Sequence, residues 1–210
     1  MKKILSYGPF LLLILFVISC GKDENQDALS ANYYGADYFP DDSGIVRFYH
    51  IDSIYWDDFS NTHDTLSYEI KEVLAGHFID GQGRNAMRIE RFRQDSTGNW
   101  NIYRVWNSVR TQTSAEVVEE NTRYVKLRFP AATGSIWNGN VYNTEGEQNY
   151  EILTMDVPEF QSGFNFTQTL HVLEENTINV IEVRKKEAKY AKFTGAYFKS
   201  KTSLTFEGGF

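Results

Sequence analysis

Between residue 45 and the C-terminus, apolar side chains recur at every second position. Ile45, Tyr49, Ile51 and Tyr55 fall on one face of an extended chain. Leu66, Tyr68 and Ile70 alternate with Ser67, Glu69 and Lys71, and Met87 and Ile89 alternate with Arg88 and Glu90. Tyr103, Val105 and Asn107 alternate with Ile102, Arg104 and Trp106, and Val125, Leu127 and Phe129 alternate with Lys126 and Arg128. Phe164, Phe166, Gln168, Leu170 and Val172 line one face of a longer run. The apolar stretch 178–183 predicts a short buried strand, and 197–206 predicts a last one. Period two marks strands with one solvated face. The breaks at 58–64, 80–83, 95–99, 144–146 and Glu174-Glu175-Asn176 are polar and carry turn chemistry. Strands at this spacing predict an all-β, single antiparallel domain: a meander closed as a barrel or packed as a sandwich. The one helical rival is 182–192, which has good helix formers but sparse apolar positions.

The N-terminus follows a different rule. Met1-Lys2-Lys3 is cationic, and residues 10–18 are an unbroken apolar run, preceded by the weaker stretch 4–9. That core is shorter than the ~20 apolar residues a membrane span needs, but it suits the h-region of a secretory signal. Val17-Ile18-Ser19-Cys20-Gly21 follows at once and resembles a lipobox, with Ile18 standing where a small residue is usual. Cys20 is the only cysteine, so no intramolecular disulfide can form. The expected organisation is a signal peptide at 1–19, lipidation of Cys20, a flexible polar tether over 20–30, and a β-rich domain over 31–210.

Charge sharpens this picture. Cleavage before Cys20 removes two lysines, so Lys+Arg falls from 21 to 19 against 28 Asp+Glu, a net charge of −9. An acidic domain is a poor partner for nucleic acid, and anionic headgroups do not attract it. Membrane affinity is therefore expected from the acyl chains on Cys20, two or more of which give stable anchoring. Aromatic residues make up 15% of the chain, which favours strands and a real core.

Several short segments, in order, resemble a known group. They are Tyr38-Phe39-Pro40, Gly44, Ile51-Asp52-Ser53-Ile54, Arg88-Ile89-Glu90-Arg91-Phe92, Val105-Trp106, Val125-Lys126-Leu127-Arg128-Phe129-Pro130, Trp137-Asn138-Gly139-Asn140, and Tyr190-Ala191-Lys192 with Gly195. The set resembles uncharacterised envelope lipoproteins of the Bacteroidota. A departure sits at Asp41-Asp42-Ser43, where that group has apolar or basic residues. The resemblance implies an envelope lipoprotein and brings no reaction with it. Lys22-Asp23-Glu24 likewise resembles the signal that sends such lipoproteins to the outer face of the outer membrane. The expected location is the outer membrane, on the outer face if that resemblance holds and on the periplasmic face otherwise. Asp52-Ser53-Ile54, Asp64-Thr65-Leu66 and Asp95-Ser96-Thr97 resemble O-glycosylation acceptors of exported Bacteroidota proteins, with Ser96 best placed on a turn.

Candidate chemistry is sparse. His50, His63, His77 and His171 show no metal-ligand spacing, and His63-Asp64 with Asp57-Asp58 reads as a polar hairpin loop. Gly81-Gln82-Gly83-Arg84-Asn85-Ala86 matches a dinucleotide-binding string, but a strand follows it where a helix is needed. No serine lies in a G-x-S-x-G elbow, and no carboxylate pair is singled out. The sequence implies no cofactor. Trp100, Trp106 and Trp137 are the candidate ligand-binding residues: even spacing puts Trp100 and Trp106 on one face, and Trp137-Asn138-Gly139-Asn140 joins an aromatic ring to amides. The leading expectation is a non-enzymatic, lipid-anchored envelope protein that binds a small ligand or a partner protein. The alternatives are a structural or assembly accessory of the envelope and, behind it, a carboxylate-dependent hydrolase.

Overall fold

A computed structural model describes residues 35–57 and 59–206. The expected signal peptide, Cys20 and the tether lie outside the described residues. A 3-10 turn, Ala36–Tyr38, precedes eleven strands: β1 (Val46–Asp57), β2 (Thr62–Ile79), β3 (Asn85–Gln94), β4 (Trp100–Arg110), β5 (Ser114–Glu119), β6 (Thr122–Arg128), β7 (Ile136–Asn138), β8 (Asn149–Gln161), β9 (Phe164–Ile178), β10 (Glu182–Ala191) and β11 (Gly195–Thr205). They form two antiparallel meanders, one ordered β1-β2-β3-β4-β5-β6 and the other β11-β10-β9-β8-β7. The all-β expectation is met, and 182–192 is strand where helix was the rival reading.

The two sheets share one core. Ala115, Val125, Leu127 and Phe129 from the first sheet and its end pack with Trp137, Tyr150, Ile152, Leu170, Val172, Ala188 and Tyr190 from the second, and Tyr38 of the 3-10 turn seals them. Each sheet is open, and few bonds pin the seams. Arg47 Nε donates to Thr194 O at 2.7 Å, and Tyr49 Oη donates to Ala196 O at 2.8 Å, clasping β1 to the start of β11. At the other seam, Val125 N–H donates to Gly139 O at 2.8 Å. The 3-10 turn sits at the clasped end: Phe193 N–H donates to Asp37 O at 2.8 Å, and Arg110 Nη1 donates to Phe39 O at 3.1 Å.

Bulges overturn several readings based on strict alternation. Arg91 lies opposite Arg104 but Phe92 lies opposite Ile102, so Tyr103 is an extra residue on β4. An extra residue reverses the parity of a strand. Trp100 and Trp106 therefore do not share a face. Trp100 meets Phe48 edge-on at 5.8 Å outside, whereas Trp106 packs against Leu74, Met87 and Ile89 inside. On β9, Thr169 pairs with Val157 but Phe166 pairs with Glu159. Leu170 and Val172 keep the core face, while Phe164 and Phe166 leave it, with Phe166 stacked on Tyr197 at 4.1 Å.

Two further expectations change. The stretch 178–183 is not a buried strand but spans the turn from β9 to β10, with Ile178, Val180 and Ile181 exposed. Glu174-Glu175-Asn176 is not a turn but the interior of β9, where both glutamates are buried. These carboxylates enter the interior because lysines meet them there, a fact that local polarity does not carry.

Candidate functional site

Lys126 and Glu174 form a buried ion pair between the two sheets. Ala115 pairs with Leu127 and Glu116 with Val125, so Lys126 is an extra residue on β6. Glu187 pairs with Leu173 and Lys186 with Glu175, so Glu174 is an extra residue on β9. Bulges re-aim side chains. The bulge on β6 turns Lys126 inward between Val125 and Leu127, while Glu174 follows Leu170 and Val172 on the core face, and the two meet across the gap between the sheets, Nζ to Oε1 at 3.3 Å. Both residues are buried.

The pair belongs to a row of charges. Lys126 also lies 3.7 Å from Glu119, which Lys199 approaches at 3.6 Å. Lys199 and Arg91 both face the Trp106 ring, at 5.8 and 4.0 Å. Arg91 reaches Glu72 at 3.4 Å, and Arg47 binds the same carboxylate at 3.0 Å. Burial works against the Lys126 ammonium, but Glu174 and Glu119 outweigh it and hold it well above the ordinary lysine range. Burial likewise pushes Glu119 up, yet Lys199, Lys126 and Arg91 together leave it below the usual carboxylate range. Burial, first of all, raises the Tyr150 and Tyr190 phenols beside Lys126, so they stay neutral.

At Glu174 the row reaches a polar cleft of about 170 Å³ between strands β9 and β10 and the loop after β7. A second concavity, about 180 Å³, lies between residues 165–168 and the β10–β11 turn. Both are smaller than the ~300–1,000 Å³ of drug-sized sites. Glu174 and Glu175 form a buried acidic neighbourhood in the first cleft, the arrangement a hydrolase would need. Each, however, is engaged by its own ammonium, Lys126 at 3.3 Å and Lys186 at 2.7 Å. They are built as two ion pairs rather than as an acid and a base facing a substrate.

The three candidate tryptophans are dispersed. Trp137 is core, 7% exposed, with Nε1 donating to Val125 O at 2.8 Å. Trp106 lies in the charged row, its Nε1 donating to Glu120 at 2.9 Å. Trp100 belongs to an outer patch with Phe48, Phe92 and the Lys71 ammonium. The histidines are also separate: His50 bridges Asp52 and Glu69, His63 packs on Trp56, His77 lies near Asp41, and His171 near Glu187. Among the described residues, no group of three His, Cys, Asp or Glu is arranged to hold a metal. The Gly81-Gln82-Gly83 string is the β2–β3 hairpin turn, capped by Asp80 Oδ1, which accepts from Gln82 N–H and Arg84 N–H. Ser96 lies on the exposed β3–β4 turn.

One surface stands out that the alternation did not announce. Beyond Glu69, β2 pairs only with β1, because β3 reaches no further than Ile70. Residues 54–57 and 62–67 thus form a two-stranded arm, exposed on both faces. It carries Ile54, Tyr55, Trp56, Phe59 and Leu66, with Phe59 fully exposed and Trp56 64% exposed. Residues 48–70 hold five acids and no lysine or arginine. Comparison with family models, with curated proteins and with solved structures finds no match.

Proposed function

We propose that this chain is a lipid-anchored, non-enzymatic envelope protein that grips a partner protein with its β1–β2 arm. The arm is the observation that carries this reading. A lone two-stranded ribbon is marginal in water, and five large apolar side chains on it gain nothing from the domain's own core. Apolar anchors ringed by charge are the makings of an interface. The unbroken acidity of residues 48–70 selects a partner with a basic face around an apolar centre.

The start of the described chain and the arm lie at opposite ends of the domain. The described chain begins beside the clasped end, where Asp37 meets Phe193. β1 starts at that same end through Arg47 and Tyr49, and its far end is the arm. Twelve residues of strand span about 40 Å. Acyl chains on Cys20 would hold the first pole near the membrane and present the arm away from it. An assembly accessory of the envelope is the same reading with a permanent partner.

Crosslinking in intact cells tests the proposal. The wild-type chain is expected to give a discrete adduct, and Trp56→Ala with Phe59→Ala is expected to abolish it without lowering the thermal midpoint. An adduct that survives both substitutions removes the arm from the interaction.

A further inference from the structure

At the arm, one edge of β2 is a vacant place in the sheet. β1 and β2 pair without a register shift from Val46 opposite Val73 to Asp57 opposite Thr62. Along a strand, the backbone groups of successive residues point to opposite sides. Leu74 N–H donates to Ile45 O at 2.9 Å, and Leu74 O accepts from Gly44 N–H at 2.8 Å. The even-numbered residues of β2 from Leu74 back to Thr62 therefore direct their backbone groups at β1, and the odd-numbered ones face the β3 side. β3 supplies partners only as far as Arg93, opposite Ile70. Beyond it, the N–H and C=O groups of His63, Thr65 and Ser67 point to a side where no strand pairs with them among the described residues.

This edge lacks the devices that keep sheet edges single. Residues 62–69 hold no proline and no lysine, and the β1–β2 ladder carries no bulge there. Other edges of the domain differ: β7 is only three residues long, and β11 carries Lys199 and Lys201 and a register shift against β10. An added strand would prolong the β2–β3 ladder rather than start a new one. Its side chains would fall on two unlike faces. On one, Leu66 stands half exposed beside Tyr68, which Arg93 of β3 covers at 4.2 Å. On the other, Thr65, Ser67 and Glu69 stand next to Asp52, which lies opposite Ser67. His50 bridges Asp52 and Glu69 and, when protonated, offsets one of the five acidic charges of residues 48–70. The balance stays negative, so the edge favours apolar residues alternating with lysine or arginine. A second copy of the chain would bring the same acidic edge and is repelled. We propose that the partner docks here by strand addition, an inference that rests on the arm being the interface: an extended segment of alternating basic and apolar residues pairs with the β2 edge over residues 62–69.

The test uses the full mature chain carrying Cys20→Ser and two capped octapeptides, one alternating lysine with valine and one alternating glutamate with valine. The basic peptide is expected to slow amide hydrogen exchange at His63, Thr65 and Ser67, and the acidic peptide to leave it unchanged. Thr65→Pro removes a backbone donor on the vacant side, where the fold makes no use of it, and keeps Trp56 and Phe59. It is expected to weaken the basic peptide about tenfold with the thermal midpoint unchanged, whereas Thr65→Ala, which keeps the N–H, binds as the wild type does. If Thr65→Pro lowers the thermal midpoint, the exchange pattern of the parent chain decides alone. Protection that appears instead at Asp52 and Ile54, whose backbone groups face the opposite edge of the arm, overturns the proposal. So does a basic peptide that does not bind. Binding that survives Thr65→Pro but is lost with Trp56→Ala and Phe59→Ala also overturns strand addition, and it leaves the arm as an interface made by side chains. The arm itself falls only to the separate crosslinking result, an adduct indifferent to Trp56 and Phe59.

Discussion

Lys126 stands between Val125 and Leu127, and any alternating pattern sends it to solvent. The bulge on β6 sends it inward instead, to Glu174 on a second bulge. Removing one member of a buried ion pair leaves the other charge uncompensated. Lys126→Met is therefore expected to cost ~3–5 kcal/mol in urea unfolding, with part regained when Glu119→Gln and Glu174→Gln are added. An unchanged midpoint would show the pair to be idle. The same row sets an acid limit. Glu119 is depressed in the folded state, so its contribution is complete above its ordinary value of 4.5 and is lost as pH falls through the lower folded value. The thermal midpoint should hold from pH 7 to pH 5 and then drop, and Glu119→Gln should flatten that drop. The inward turn of Lys126 was not legible in the sequence, because a bulge is a property of strand pairing and not of the residue that occupies it; Glu174 continues the alternation of Leu170 and Val172, but its local polarity reads as a turn.

At the scale of elements, most strands were legible. The alternations at 45–56, 87–90 and 197–206 lie on β1, β3 and β11. β5, β7 and β8 were missed, and β8 shows why: its pairing with β9 shifts three times, which scrambles the two-residue period. The clasp between β1 and β11 is equally invisible locally, since its partners lie 147 residues apart. Tyr49→Phe removes one of its two bonds and should cost about 1 kcal/mol. Gly195→Ala should cost more. Its φ of +84° disfavours a side chain, and a Cβ there would lie 2.7 Å from Arg47 Nη2. Denaturant midpoints of the two variants, measured side by side, check the order.

At the scale of the whole molecule, the domain has two poles. The chain enters at the clasped end, and the acidic arm leaves the other. With the proposed cleavage before Cys20 the domain would carry −9, which gives it no electrostatic reason to sit on an anionic bilayer. Cys20→Ser is thus expected to move the protein wholly into the soluble fraction of lysed cells and to end incorporation of labelled palmitate. Persistence in the membrane fraction would mean that something other than acyl chains holds it there. Protease treatment of intact cells then separates the two faces of the proposed outer-membrane location: loss of the arm before lysis places it outside.

The all-β class was determined by the residues alone. Alternation, turn chemistry and aromatic content are local quantities, and they agree along most of the chain. The expected signal and the expected role of Cys20 rest on the same kind of local information. The tertiary structure decided everything that depends on which strands meet and in what register. It parted Trp100 from Trp106, put Trp137 in the core, turned Lys126 inward to meet Glu174, and left the end of β1–β2 without a neighbour. The physical reason is parity: one extra residue in one strand reverses every side chain beyond it, and nothing in the neighbouring sequence records the change.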